Sequence, residues 1–222
     1  MAAALRTADS VVACSTFVAD YLRSNDVRNV SIATPFLECF PTPTPVPRTP
    51  RLLFVGRIVP EKGLAVLLRA LQTVEVELEV CGDGWDMASA QLLAERLGVA
   101  HRATFSGWLD EAALQERYRT ASVVVVPSIW PEPFGMVGIE AMAQGRPVVA
   151  SDTGGIRDWH EGATMGELVP PGDRASLAAA LRSLVADPDR CQELGASAAA
   201  AARAFTGDRY LDLAYGTMTS RV

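Results

Sequence analysis

From Arg51 onward, short unbroken apolar runs alternate with stretches of helical period. The runs RLLFVGR (51–57), VELEVCGDG (76–84), ATFSG (103–107), SVVVVPS (122–128), RPVVASD (146–152) and GELVPPGD (166–173) read as strands that run into turns. Between them lie LAVLLRAL (64–71), MASAQLLAERLG (87–98), EAALQERYRTA (111–121) and GMVGIEAMAQG (135–145), which read as helices. SLAAALRSLVADP (176–188) reads as a helix stopped by Pro188, and the remainder to Val222 as alanine-rich helix broken near Thr206 and Gly207. Strands that are apolar throughout have no face left for water, so helices must cover both sides. Strands alternating with helices of this length predict parallel βαβ units, and the fold class is α/β with a doubly wound parallel sheet.

The segment before Arg51 is different. FPTPTPVPRTPR (40–51) carries alternating prolines, which exclude helix and predict an extended connector. Upstream, DSVVACS (9–15), TFVADYLRSN (16–25) and VRNVSIA (27–33) predict strand, helix and strand. A unit of that size cannot bury a core of its own. Exposed apolar surface over residues 8–36, or a dimer that covers it, is therefore expected.

Composition narrows the function classes. The chain has 222 residues, a net charge of −6 and 49% hydrophobic residues, which is a globular profile of one or two domains. An acidic chain without a basic run argues against nucleic-acid binding but leaves room for a local cationic pocket. Cys14, Cys39, Cys81 and Cys191 form no CxxC pattern, so no metal site is expected. Cys14 and Cys81 read as buried small hydrophobes. Reduced thiols and a cytoplasmic location fit this pattern, and no segment reads as a signal peptide or a membrane span.

In a doubly wound sheet, ligands bind beyond the carboxyl ends of the strands, so the strand-ending turns are where chemistry is expected. After the first long strand come Gly56, Arg57 and Lys62, the last being the only lysine in the chain. Glycine lets the backbone approach a ligand, Arg57 offers a fork and Lys62 a compact charge beside a helix start, a set suited to a diphosphate. After SVVVVPS comes SIWPEPFGMVGIEAMAQG (128–145), with Glu132 in the loop and Glu140 inside the helix. The N–H groups of Phe134, Gly135 and Met136 open that helix and point toward any ligand there. Two carboxylates beside backbone donors suit sugar hydroxyls; equally, Glu132 reads as a solvated loop residue and Glu140 as a helix-face residue paired with an arginine. Trp108, after ATFSG, either stacks on a base or caps the core. The paired glycines of SDTGGIRDWHEG (151–162) read as structural, and His101 and His160 as surface or capping residues. No GxGxxG follows the first strand and no GxxxxGK[ST] occurs, which disfavours nicotinamide binding and excludes a P-loop NTPase.

Five segments, FVGRIVPEKG, CGDG, FSGWLD, VVVVPSIWPEPFGMVGIEAMAQGRPVVASDTGGI and GELVPPGD, follow one another in an order that resembles the C-terminal, Rossmann-like domain of the GT-B glycosyltransferases, specifically the retaining group 4 family. The resemblance runs from about Arg51 to Phe205. It implies the following roles. Arg57 and Lys62 hold the donor's diphosphate, and Glu132 contacts the donor sugar. Glu140, the second member of an E-x7-E pair, binds the ribose. Backbone groups of Phe134, Gly135, Met136 and Val137 support sugar and phosphate, and Ser106 and Trp108 flank the base. The donor is a UDP-, GDP- or ADP-linked sugar, with no metal and no cofactor beyond that substrate. It also implies three parts: residues 1–47 as the end of an N-terminal domain plus the proline-rich linker, 48–205 as the nucleotide-sugar domain, and 206–222 as a helix that packs back on the N-terminal domain. The acceptor would then belong to an N-terminal domain or a subunit in trans, and the full enzyme would be cytoplasmic or peripheral to a membrane. A non-catalytic nucleotide-sugar-binding module or a subunit of a split enzyme is the alternative. TPFLECF replaces the usual Pro-Asn-Gly-Val-Asp, and Arg157 stands where the family commonly has proline.

Overall fold

A computed structural model describes residues 2–219. Its first part comprises helix α1 (Ala2–Thr7), strand β1 (Val11–Ala13), helix α2 (Thr16–Ser24) and strand β2 (Val30–Ile32). Helix α1 lies where the sequence pattern predicted no element. β1 and β2 pair in parallel as a separate two-stranded sheet. Ser15 caps α2 by accepting from the Val18 N–H. Phe17, Tyr21 and Phe36 of this part are 39%, 63% and 36% exposed, so its apolar surface is incompletely covered.

The second part begins with β3 (Arg51–Val55), α3 (Leu64–Ala70), β4 (Glu77–Cys81), α4 (Met87–Arg96) and β5 (Ala103–Gly107). It continues with α5 (Glu111–Thr120), β6 (Val123–Val126), α6 (Met136–Ala143), β7 (Val148–Ser151), β8 (Gly166–Val169), α7 (Arg174–Val185) and α8 (Pro188–Ala202); α9 (Gly207–Thr219) then lies against β2 of the first part, with the Tyr210 ring 5.3 Å from the Phe36 ring. The last three residues of the expected C-terminal helix lie outside the described residues. Six parallel strands form one sheet in the order β5-β4-β3-β6-β7-β8. Alternate residues feed opposite faces, as the two-residue period of a strand requires. Leu52, Phe54, Val123, Val125 and Val149 pack with α3, α4 and α7. Leu53, Val124, Val126, Val148 and Ala150 pack with Tyr118 of α5, with α6 and with α8. At about 25 cal/mol per Å² of apolar surface, two such layers dominate the stabilisation.

Pro188 has a different part from the one predicted. α7 ends at Val185, and Pro188 is the first residue of α8, where its missing N–H costs nothing. Asp187 caps α8 by accepting from the Arg190 N–H, and Asp173 caps α7 by accepting from Ala175 and Ser176. The proline-rich connector is extended but not loose. The fully buried Arg146 donates to the Thr44 and Pro45 carbonyls and to the Ala121 carbonyl, and the Val46 N–H donates to Gln192 at 2.7 Å. Burial pulls the Arg146 guanidinium down to about 10, so it keeps its charge at neutral pH.

This strand order fixes where a ligand goes. The chain winds one way from β3 through β4 and β5, then returns to the other side of β3 and winds through β6, β7 and β8. The loops after β3 and β6 therefore diverge and leave a crevice between them.

Candidate functional site

The crevice floor is built by glycines that no other residue could replace without collision. A Cβ on Gly82 would lie 1.9 Å from the Gly56 carbonyl oxygen, and one on Gly84 would lie 2.2 Å from that of Ile58. The CGDG segment thus lies flat against residues 56–58, locked by a bond from the Ile58 N–H to the Asp83 carbonyl. Pro60–Lys62 forms a single 3-10 turn closed by Gly63 at φ 71, whose Cβ would sit 1.8 Å from the Pro127 carbonyl oxygen. The Ile129 N–H donates to the Glu61 carbonyl at 2.9 Å. The turn after β3 is thereby stitched to the loop after β6.

That contact brings Lys62 onto Glu132. Lys62 Nζ lies 2.7 and 2.8 Å from the two carboxylate oxygens, and Ser128 Oγ donates to Oε1. Glu132 is 8% exposed, so it is not the solvated loop residue that one sequence reading allowed. Its main chain is seated on the paired glycines 154–155: the Gly155 N–H donates to the Glu132 carbonyl at 2.7 Å, and a Cβ on Gly154 would lie 2.2 Å from that oxygen. The glycine pair is structural, as expected, and its task is to hold the loop that carries Glu132.

Phe134, Gly135, Met136 and Val137 line a cleft of about 430 Å³ together with Gly56, Arg57, Lys62 and Glu132. Gly135, at φ 92, opens α6. The first turn of a helix has no internal acceptor for its N–H groups, so these donors and the positive end of the dipole serve the cleft. Trp159 fixes the turn: its indole N–H donates to the Phe134 carbonyl at 2.6 Å, and its ring rests where a Gly138 side chain would be. Arg57 is exposed and forms no ion pair among the described residues. The cleft therefore holds one compensated cation and one free cation beside a helix start. Such a site accepts an anion with several oxygens.

Other expected residues are placed less uniformly. Trp108 is 76% exposed and lines a cleft of about 250 Å³ with Gly56, Arg57 and Asp83, so it is not a core cap. Ser106 is turned away, its hydroxyl bonded to the buried Glu79, which also lies 3.5 Å from Arg117. Glu140 is half-buried and pairs with no arginine among the described residues; the Tyr118 hydroxyl donates to its Oε2 at 2.8 Å. It opens on a neighbouring cleft shared with Met136 and the 36–41 segment. Cys14 is half-buried: it packs against the core layer of α5, α6 and α8 and also lines the main cleft, with Sγ 3.6 Å from the Pro133 carbonyl. His160 is buried, not superficial, and Arg157 pairs with Asp152. Sequence reasoning placed Ser128 at a strand end but gave it no role, and it missed Tyr118 and Trp159; the contacts of the three lie 4, 22 and 25 residues away. It also missed Trp85, and it placed Trp130 at a strand end without a role; the two, 73% and 68% exposed, flank a second cleft beside Arg57 and Lys62. Among the described residues, no helix is long and apolar enough to cross a membrane.

The family model described as "Glycosyl transferases group 1" matches residues 41–201. A phosphatidyl-myo-inositol mannosyltransferase of Mycobacterium leprae is 41% identical over 140 residues, 60% of this chain and 37% of that protein. A D-inositol 3-phosphate glycosyltransferase of Gordonia bronchialis is 34% identical over 212 residues, 84% of this chain and 46% of that protein. Among solved structures, a sucrose-phosphate synthase from Thermosynechococcus elongatus superposes with a TM-score of 0.88 at 30% identity, covering 100% of this chain and 61% of that one. The chain thus spans less than half the length of these two curated relatives.

Proposed function

The chain belongs to the group 1 glycosyl transferases, and on that premise we propose that it is the donor-binding part of a retaining glycosyltransferase. It binds a nucleoside-diphosphate sugar in the crevice between β3 and β6. Arg57 and Lys62 take the diphosphate, with the α6 N–H groups as further donors. Glu132 and the 134–137 main chain take the sugar, Glu140 takes the ribose, and Trp108 stands by the base. In transfer, the bond from the anomeric carbon to the β-phosphate oxygen breaks with its electron pair going to the diphosphate. The acceptor oxygen forms the new bond on the same face and gives up its proton to the departing β-phosphate oxygen beside it. Arg57 and Lys62 stabilise the charge that develops on the leaving group, so the chemistry needs a cation at that place and these side chains supply it. The acceptor is held by an N-terminal domain or a partner subunit. The named relatives act on inositol phosphates and phosphatidyl-myo-inositol by their descriptions, which supports a polyol acceptor.

The observation that carries this reading is the convergence of Arg57, Lys62 and Glu132 with the start of α6 at one switch point of the sheet. Calorimetric titration of the chain with UDP, GDP and ADP tests it. One nucleotide binds in preference to the others, and Arg57→Ala weakens it about tenfold or more, the loss expected for a charge-assisted contact. No binding by any of the three, or affinity unchanged in Arg57→Ala, overturns the reading.

A further inference from the structure

The Glu140 carboxylate is held by one buried hydroxyl. Tyr118 occupies the last turns of α5, is 0% exposed, and sends its hydroxyl to Glu140 Oε2 at 2.8 Å. The phenol ring belongs to the apolar layer of α5, α6 and α8, so it has no freedom to follow the carboxylate; the carboxylate must come to it. Burial, and the Glu140 charge beside it, push the Tyr118 hydroxyl well above its ordinary value, so it is a donor at every physiological pH.

A neutral donor fixes a carboxylate in a different way from an arginine. It occupies one oxygen and leaves the negative charge intact, so the second oxygen remains a strong acceptor. An arginine would take both oxygens and cancel the charge. Glu140 is half-buried and lines a cleft with Met136, and its Oε1 takes no partner among the described residues.

We infer that Tyr118 is a positioning residue for Glu140, holding the carboxylate so that its second oxygen accepts from a ribose hydroxyl of the donor nucleotide. This rests on the donor-site reading above. Tyr118 then sets discrimination between ribose and deoxyribose, although it touches neither. Ordering a free glutamate side chain at the moment of binding costs about three- to tenfold in affinity, and the phenol removes that cost in advance.

The test is Tyr118→Phe, which deletes one oxygen and no carbon. Affinity is measured for the preferred ribonucleoside diphosphate, for its 2′-deoxy and 3′-deoxy counterparts, and for inorganic pyrophosphate. Tyr118→Phe weakens the ribonucleotide about three- to tenfold and leaves pyrophosphate unchanged, so the preference for ribose over deoxyribose shrinks. Glu140→Gln shrinks it too, and Tyr118→Phe adds little on that background. Equal weakening of ribonucleotide and pyrophosphate would show a structural role and overturn the inference, as would an unchanged ribose preference. If Tyr118→Phe does not fold, Tyr118→His keeps a ring-borne donor; loss of folding in both also overturns the inference. Failure of the wild-type chain to bind any nucleotide refutes the donor site itself, a separate outcome.

Discussion

Replacing Lys62 by methionine tests how far the site and the fold depend on one ion pair. A lone lysine at a helix start gives no reason, on sequence, to expect a stability effect; an alanine there should spare the fold. The structure changes that expectation. The variant keeps the aliphatic stem but strips the partner from a carboxylate whose side chain is 9% exposed. Breaking a buried pair costs about 3–5 kcal/mol. Here Lys62 is itself 28% exposed and Ser128 still donates to Glu132, so the loss falls lower, at about 2–3 kcal/mol. For a domain of this size, about 2–4 °C per kcal/mol converts that into a fall of about 5–10 °C in Tm. In Lys62→Met/Glu132→Gln the buried charge is gone, while the amide oxygen still accepts from Ser128, so most of the loss returns. Both variants lose nucleotide affinity. Thermal unfolding followed by circular dichroism, beside calorimetry with the preferred nucleotide, separates the two effects. A Tm unchanged in Lys62→Met, or a double variant no more stable than the single, refutes the buried-pair reasoning.

Three further outcomes follow from particular contacts. Gly138→Ala places a methyl group 2.1 Å from the Trp159 ring and costs about 1–3 kcal/mol through overpacking; denaturant melts of the variant check it, and a wild-type midpoint refutes it. Burial pushes the Cys81 thiol up to about 12 and that of Cys191 up to about 11, whereas Cys39 is exposed and Cys14 half-buried. A thiol reagent therefore modifies only the latter two in the native chain, and nucleotide slows the reaction at Cys14, as peptide mapping would show. Burial also holds the His160 imidazole below its ordinary value of 6.5. Nδ1 accepts from the Gly162 N–H and Nε2 lies 3.0 Å from the Val148 carbonyl, an arrangement suited to the neutral ring. Below 6.5 the unfolded chain binds the proton that the folded chain refuses, so stability falls as pH drops from there toward the folded pKa. Tm measured between pH 7 and 5 declines more steeply in the wild type than in His160→Gln; parallel curves refute this.

The sheet was legible because its strands are buried on both faces, and a short β-branched run such as VVVV, bounded by turn residues, suits a strand covered on both sides. The strand ends were legible for the same reason, and with them Arg57, Lys62 and Glu132. Spatial pairing was not legible. The period of α6 puts Glu140 on a face but does not say that a phenol from α5 waits there, because that contact depends on how two helices sit across β6. The same limit applies to Ser106, whose strand-end position suggested the cleft while a buried glutamate on the neighbouring strand captured its hydroxyl. Pro188 was misread because a proline ends one helix and begins another by the same lack of an N–H; only the Asp187 cap decides between them.

The Lys62–Glu132 pair makes sense of a site that must remain folded without its ligand. A crevice lined by two uncompensated cations and a helix dipole would repel itself, and a buried glutamate alone would carry an unpaired charge. Pairing the two resolves both difficulties with a single contact. On the donor-site reading proposed above, the arrangement also couples the two ends of the donor. A diphosphate competes with Glu132 for Lys62, and as Lys62 turns toward phosphate the carboxylate loses its partner. Sugar hydroxyls that donate to Glu132 restore what it loses, so diphosphate and sugar each make the other's binding more favourable. A nucleoside diphosphate without its sugar leaves Glu132 short of donors. The intact nucleotide sugar should therefore bind more tightly than the nucleotide, and Glu132→Gln, which needs no cation, should narrow that difference. Calorimetry of the two ligands against both proteins decides it: an equal preference in wild type and Glu132→Gln would mean that Lys62 and Glu132 act independently, and that their contact in the free chain has no part in recognition.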